Sequence, residues 1–193
     1  MSTLLNAASC CVLLFDPKKE HLDHFELETQ NAVTRSFELL AQALRRIDIP
    51  IHIVFDSKAP QPCESLSKLE EASHAHVHVL GPDGSSWSSS QALAKLCTEG
   101  RASLVLAGFW LETTVTFATL RALAAGCDVF IVMDASPPRT ADARSPAINR
   151  LLQAGGVPTT TYQLIAEWSE TTADPEERAA LSAIVLTSSA YPR

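Results

Sequence analysis

Acidic side chains follow three of the apolar runs in this sequence. Asp16 comes directly after "CCVLLF", Asp56 after "IHIVF" and Asp134 after "DVFIVM". Such runs predict buried strands, and the carboxyl ends of parallel strands meet along the sheet edge where ligands bind. Carboxylates in that crevice could transfer protons. A fourth run, "SLVLAG", leads instead into "FWLETTV", whose candidate groups are the hydroxyls of Thr113 and Thr114.

Short β-rich runs alternate with helical patterns along the chain, which indicates βαβ units around a parallel sheet. The predicted strands cover residues 10–15, 51–55, 76–80, 103–108, 128–133 and 158–162. The predicted helices cover residues 24–47, 89–99, 112–125, 142–154 and 175–187. The one loop rich in Gly and Ser, 81–90, lies between the third strand and its helix. A chain of 193 residues with 46% apolar residues fits a single α/β domain, residues 1–193.

Composition narrows the classes of partner. The net charge of -7 argues against a nucleic-acid surface. No segment approaches the roughly 20 uninterrupted apolar residues that span a bilayer, so no membrane contact is predicted. The N-terminus carries no Lys or Arg before Lys18, and it is interpreted as the first core strand rather than a signal peptide. Five cysteines, an odd number without paired metal spacing, suit a reducing, cytoplasmic setting.

Four segments together resemble the isochorismatase-like hydrolases, which include nicotinamidases and carbamoylsarcosine amidase. They are "VLLFDPKK" (12–19), "LVLAGFWLETTV" (104–115), "ALAAGCDVFIVMDAS" (122–136) and "INRLLQAGGV" (148–157). The resemblance covers nearly the whole chain in the same order, and it is strongest to the small bacterial branch whose members lack an assigned substrate. It implies a three-layer α/β/α, Rossmann-like domain with six parallel strands in the order 3-2-1-4-5-6, usually assembled into homo-oligomers.

The resemblance also implies a set of site residues. In the amidases of this family a Cys attacks, an Asp after the first strand takes its proton, a basic residue before the third helix assists, and two backbone amides hold the oxyanion. Asp16 matches that Asp, although spacing alone would also allow a turn residue before a proline. Gly108 and Glu112 match a family glycine and glutamate. This register implies a cis peptide bond at Phe109-Trp110.

The same register places Thr114 where the family has its Cys, and it assigns the oxyanion amides to Trp110 and Thr114. Cys127 lies about three helical turns further on, while Cys10 and Cys11 stand on the order of 17 Å from Asp16, so none of them can replace the thiol. A hydroxyl needs a well-placed base, and Asp16 would be a poor one unless burial raised its pKa.

The family's basic residue is missing as well. It would lie near Leu80 or Gly81, and no Lys or Arg occurs between Lys68 and Lys95. Lys18 and Lys19 are close to Asp16 in the chain. They could reach the pocket, or they could be solvated loop lysines.

Two classes of function remain from the sequence. The first is an isochorismatase-family hydrolase of C–N or ether bonds, with Asp16 and Thr114 as catalytic residues, whose thiol-dependent amide hydrolysis is lost or altered. It would act through the threonine, or through a vinyl-ether hydrolysis that relies on the Asp. The second is a non-catalytic small-molecule-binding or assembly protein on the same scaffold. Neither needs a cofactor, and the sequence does not identify the ligand.

Aromatic and histidine residues add two open interpretations. Phe109, Trp110 and Trp87 are predicted to line the pocket, where the two tryptophans could stack on a planar ligand or merely cover the core. His74, His76 and His78 alternate, so a strand would place them on one face. They could bind a metal, or form a polar strand edge or a subunit contact. The family's metal sites use an Asp and two His after the second strand, where this chain has no His, so no catalytic metal is predicted.

Overall fold

A six-stranded parallel sheet organises the molecule. The computed structural model describes residues 4–56, 61–67, 75–79 and 103–188. The strands are β1 (Cys10–Phe15), β2 (Ile51–Phe55), β3 (Ala75–Val79), β4 (Ser103–Gly108), β5 (Asp128–Val132) and β6 (Val157–Thr159). Their order is β3-β2-β1-β4-β5-β6, with every neighbouring pair parallel. The predicted order is confirmed. Successive strands are added on one side of β1 up to β3 and on the other side from β4 onward, and α/β proteins form their ligand crevice at this switch point between β1 and β4.

Helices cover both faces of this sheet. Those among the described residues are α1 (Lys19–Leu22), α2 (Leu27–Leu44), α3 (Glu64–Ser67), α4 (Thr116–Ala124), α5 (Ala141–Ala154), α6 (Thr161–Thr171) and α7 (Pro175–Ser188). A 3-10 turn (Ala7–Ser9) and a π-helical turn (Leu111–Val115) complete them. Residues of α2, α6 and α7 share one hydrophobic core, and residues of α4 and α5 share the other. The three-layer prediction is therefore confirmed.

Strand β1 shows why both layers are needed. All six of its residues are buried. Side chains alternate along a strand, so Cys10, Val12 and Leu14 enter the core beneath α2, whereas the other three enter the core beneath α4. A strand that is apolar on both faces must be covered on both faces, as in parallel sheets generally.

The structure shifts several predicted boundaries. The strand predicted over 158–162 ends at Thr159, and α6, which was not predicted, begins at Thr161. The β-branched run "TTTY" favours a strand locally, but Thr160 caps the helix by accepting a hydrogen bond from Gln163 N at 3.2 Å. The helix predicted over 112–125 is divided into the π-helical turn and α4. The helix over 89–99 and the loop over 81–90 lie outside the described residues.

Two tight contacts fix the edge of the sheet that faces the crevice. Gly108 has φ +118°, and a Cβ atom there would lie 2.0 Å from the carbonyl oxygen of Phe15, so β4 can approach the end of β1 only as glycine. Asp134 accepts hydrogen bonds from Ser36 Oγ at 3.1 Å and from Thr161 N at 2.8 Å. It therefore ties α2 and α6 to the end of β5.

Two further observations bear on composition. Cys127 is disulfide-bonded, which corrects the expectation that all five cysteines are reduced. Within the described ranges, no helix combines the length and apolar character that crossing a membrane requires.

Candidate active site

Asp16 begins the loop that leaves β1 at the crevice. Its amide donates to Val54 O at 2.7 Å, and its carboxylate oxygen Oδ1 accepts from Asp56 N at 2.9 Å. Its φ of 48° lies in the left-handed region, which Asp tolerates better than most residues. Lys18 N donates to Asp16 O at 2.6 Å. The chain therefore turns sharply and brings residue 18 back beneath residue 16.

The side chain of Lys18 lies inside this turn. It is 3% exposed, and its Nζ is 3.2 Å from Asp16 Oδ1 and in contact with Asp56 Oδ1. Glu20 Oε1 is 3.7 Å away at the surface. Of the two lysines considered from sequence, Lys18 is thus a buried partner of Asp16, whereas Lys19, the first residue of α1, is exposed. A buried ammonium is tolerated here because it is paired with carboxylates.

A second segment holds this loop in place. Lys18 forms an isolated antiparallel bridge with Pro62. Cys63 N donates to Pro17 O at 2.7 Å, and Lys19 N donates to Gln61 O at 2.9 Å. The backbone of the lysine is therefore fixed by residues about forty positions away in the chain, which no local pattern reveals.

Burial and neighbouring charges shift the pKa values of Asp16, Asp56 and Lys18 in different directions. Burial raises the pKa of Asp16 above its usual range, and the nearby Asp56 carboxylate raises it further, against the lowering effects of the hydrogen bond from the Asp56 amide and of Lys18. Burial alone would raise the pKa of Asp56, but its hydrogen bond with Lys18 prevails and lowers it. Burial acts to lower the pKa of Lys18, but the two carboxylates raise it overall. A proton entering the cluster therefore goes to Asp16, and Lys18 stays charged.

An aromatic cluster adjoins Asp16, and its histidine was not anticipated from sequence. His21 Nδ1 lies 3.1 Å from Asp16 O, and because a carbonyl can only accept, this nitrogen carries the hydrogen. The imidazole ring is 5.0 Å from the Trp110 ring and 5.5 Å from Phe109. Phe25 packs 5.6 Å from Trp110. Phe109 is 0% exposed and Trp110 7% exposed, so both belong to the core.

The junction after β4 carries one feature that the resemblance implies. The peptide bond Phe109-Trp110 is cis, as expected. Within the described part of the chain, the Trp110 amide is a donor in no backbone hydrogen bond. Thr114 lies half-buried in the π-helical turn, and no hydrogen bond links it to Asp16 among the described residues. The structure thus pairs Asp16 with Lys18 and Asp56 rather than with Thr114.

A cavity of about 590 Å³ lies between α2 and the loop after β5. Its wall includes Phe25, Met133 and Arg139. The Arg139 guanidinium lies 4.7 Å from the centre of the Trp110 ring. The backbone amide of Arg139 donates to the Glu112 carboxylate at 3.1 Å. Asp16 is not among the residues that line the cavity.

The remaining candidates lie elsewhere. Trp87 and His74 fall outside the described residues, as do Leu80 and Gly81. His76 and His78 lie on β3 and stack on His52 of β2, at ring distances of 5.1 and 5.2 Å. Over the described ranges, no group of three or more His, Cys, Asp or Glu side chains is arranged to hold a metal. Cys63, near the loop, is no substitute nucleophile because burial raises the pKa of its thiol to about 12.

Sheet order, crevice and the junction after β4 define an α/β protein of the cysteine-hydrolase architecture. The Isochorismatase domain model matches residues 10–163, and the chain belongs to that family.

Known relatives agree with this assignment. A probable hydrolase, YcaC of Escherichia coli K12, is 33% identical over 81 residues, 42% of this chain and 39% of that protein. The match therefore spans about two fifths of that relative. Among solved structures, the MAR1 ribonuclease from Caenorhabditis elegans superposes with a TM-score of 0.78 at 18% identity, covering 96% of this chain and 94% of that one. The YcaC gene product of Escherichia coli, described as an octameric hydrolase of unknown specificity, gives 0.71 at 19% identity, covering 98% of both. At these identities the superpositions show the fold alone.

Proposed function

We propose that this protein is a hydrolase in which Asp16 transfers protons and no thiol takes part. The observation that carries the proposal is the burial of Asp16, at 6% exposure, against Lys18 at the switch point of the sheet. Burial raises the pKa of this carboxyl. A carboxyl with a raised pKa is protonated at higher pH than usual, which suits a general acid that must regain its proton in each cycle.

The proposed reaction is acid-catalysed hydrolysis of an enol ether. Asp16 gives its proton to the terminal carbon of the double bond, and water adds to the cationic carbon attached to oxygen. The water's proton returns to the Asp16 carboxylate, and the resulting hemiketal breaks into an alcohol and a ketone. Thr114 makes no hydrogen bond to Asp16 in the described part of the chain, which supports a route without attack by its hydroxyl. The Trp110 amide, together with that of Thr114, would bind oxygen of the substrate.

Three further parts complete the proposal. The cavity between α2 and the loop after β5, whose wall includes Phe25 and Arg139, offers space for a small molecule, but Asp16 does not line it, so it is a second candidate binding site rather than the place where Asp16 acts. The chain would act as one domain, without metal or cofactor. Assembly into a homo-oligomer is part of the proposal, supported by the octameric description of the Escherichia coli YcaC structure.

A substrate panel tests the proposal. Amides, esters and enol ethers would be incubated with the wild type, Asp16→Asn, Thr114→Val and Thr114→Cys, with the exposed Asp23→Asn as a matched control. We expect enol-ether hydrolysis that falls by about 10²- to 10⁴-fold in Asp16→Asn and persists in Thr114→Val and Asp23→Asn. Hydrolysis that survives Asp16→Asn would refute the assignment of Asp16. If Thr114→Val folds but loses the hydrolytic activity, the threonine hydroxyl would be the attacking group.

A second candidate function is ligand binding without turnover. It is supported by the position of the cavity of about 590 Å³, which Asp16 does not line, so that a ligand bound there would have no contact with the proposed proton donor. The same panel separates the two functions. If no substrate is hydrolysed by the wild type while a ligand from the panel binds and shifts the thermal unfolding midpoint, the binding function holds.

A further inference from the structure

Three charged groups on two strand ends form one cluster whose charges do not balance. Asp16 and Asp56 supply two carboxylates, and Lys18 supplies one ammonium in contact with both. Fully ionised, these three carry one net negative charge, so one further proton makes the cluster neutral. The Asp56 side chain is 54% exposed and that of Asp16 is 9% exposed. Water therefore stabilises the charge of Asp56 much better than that of Asp16.

We propose that Lys18 and Asp56 are positioning residues for the proton of Asp16, with Asp56 holding the Lys18 ammonium against the Asp16 carboxylate. This inference rests on the function proposed above, and it assigns the positive charge of the site to the loop after β1. The family resemblance places a basic residue after β3 instead, where this sequence offers neither Lys nor Arg.

The geometry supports positioning rather than a simple surface ion pair. Exposed pairs hold long side chains loosely and contribute little. Here the Lys18 side chain is 3% exposed, and its backbone is fixed by the bridge to Pro62. The amide of Asp56 donates to the same Oδ1 atom of Asp16 that faces Nζ. Asp56 thus acts on Asp16 in three ways: its amide and the lysine that it holds both favour the charged form of Asp16, and its own carboxylate opposes it.

Two other titratable groups, Glu20 and His21, lie close enough to the cluster to affect its charge. Glu20 approaches Nζ at 3.7 Å from the solvent side, where its side chain is 71% exposed. His21 of α1 contacts the carbonyl of Asp16, and its charge acts on Asp56. Water screens Glu20, and the histidine contacts a backbone atom of Asp16, so Lys18 and Asp56 remain the side chains that act most directly on its carboxylate.

The test measures the pKa of the Asp16 side-chain carboxyl by carbon-detected NMR in the full-length protein. The variants are Lys18→Met, Asp56→Asn and the matched control Lys19→Met, which alters the exposed neighbouring lysine. Removing the ammonium is expected to raise the pKa of Asp16 by at least about one unit, a tenfold shift in its protonation equilibrium. Removing the Asp56 charge is expected to lower it, because the side-chain oxygen in Asp56→Asn can still accept a hydrogen bond from Lys18 and keep the ammonium in place, while the repulsion between the two carboxylates is lost. Lys19→Met is expected to leave it within a few tenths of the wild-type value.

Equal pKa values of Asp16 in Lys18→Met and Lys19→Met would overturn the inference, as would shifts of the same sign in Lys18→Met and Asp56→Asn. If Lys18→Met does not fold, Asp56→Asn, at a half-exposed position, still tests the proposal. An unchanged or raised pKa of Asp16 in that variant would contradict it. The pH profile of kcat for the enol-ether reaction should move with the measured pKa in each variant. An inactive wild type whose Asp16 pKa still moves as expected would reject the proposed function alone.

Discussion

The Nζ atom of Lys18 lies 3.2 Å from Oδ1 of Asp16, and both side chains are buried. The contact with Lys18 alone would lower the pKa of Asp16, but burial outweighs it and makes the stability of the protein depend on pH in the opposite direction. Burial raises the pKa of Asp16 in the folded state, so the folded protein binds this proton more tightly than the unfolded chain does. The stabilisation is complete below the unfolded pKa near 3.9 and is lost as pH rises through the folded pKa, at about 1.4 kcal/mol per unit of elevation.

Asp16→Asn removes this titration. The free energy of unfolding of the wild type, measured by urea denaturation, is therefore expected to fall relative to that of the variant as pH rises from about 4 to 8. The exposed Asp23→Asn is the control, and its difference from the wild type should change little over the same range. A difference between wild type and Asp16→Asn that stays constant with pH would contradict the raised pKa.

Gly108→Ala is expected to destabilise the fold by roughly 3 kcal/mol. The added methyl group would lie 2.0 Å from Phe15 O, and the positive φ also disfavours alanine. Gly126→Ala is the matched control, because Gly126 has φ +89° but no atom within 4 Å of an added Cβ. Comparing the urea midpoints of the two variants separates the steric clash with Phe15 O from the cost of a positive φ at alanine. Equal losses in both would mean that β1 and β4 can move apart at little cost.

Asp134→Ala is expected to lower the free energy of unfolding by about 2 kcal/mol, because it leaves the amide of Thr161 and the hydroxyl of Ser36 without their acceptor. Asp128→Ala, at an exposed position at the start of β5, serves as control and should change stability by no more than about 0.5 kcal/mol. Thermal unfolding of both variants checks this. Similar midpoints would show that water replaces the carboxylate without loss.

The histidine stack between β2 and β3 should weaken the fold in acid. Burial, together with the charges of His78 and His76, lowers the pKa of His52 from 6.5 to about 4. Between about pH 6.5 and 4, His52 is therefore protonated in the unfolded chain but not in the folded protein. The free energy of unfolding falls over this range by on the order of 2 kcal/mol. His52→Asn should flatten this slope in urea titrations. The exposed His24→Asn should retain it, and equal slopes in the two variants would contradict the assignment.

The sequence predicted those features that depend on local pattern. Strand β1 was predicted with its observed bounds because six consecutive apolar residues leave no other interpretation in an α/β chain. The cis bond at Phe109-Trp110 was implied by the family resemblance, and Gly108 and Glu112 only located it in this sequence. Asp16 was singled out because it directly follows a buried strand.

Features that depend on distant segments were not predicted. Lys18 is next to a second lysine in a polar stretch, and its burial results from the left-handed turn at Asp16 together with the segment that contains Pro62. His21 was passed over because a short helix of four residues has too little periodicity to show which face it presents. Helix α6 was missed because its start depends on a cap and on Asp134, neither of which a β-branched run reveals.

The π-helical turn at Leu111–Val115 has a consequence for how this position can change over evolutionary time. A π turn contains one residue more than an α-helical turn requires. Deleting a single residue there would restore ordinary helix geometry while α4 could keep Ala118 and Ala122 against the sheet. Leu111 and Val115 of the turn are buried in the core, but Thr114 is only half-buried, so the identity of residue 114 can vary with less disturbance to the core and the chemistry of the site can change within the same fold.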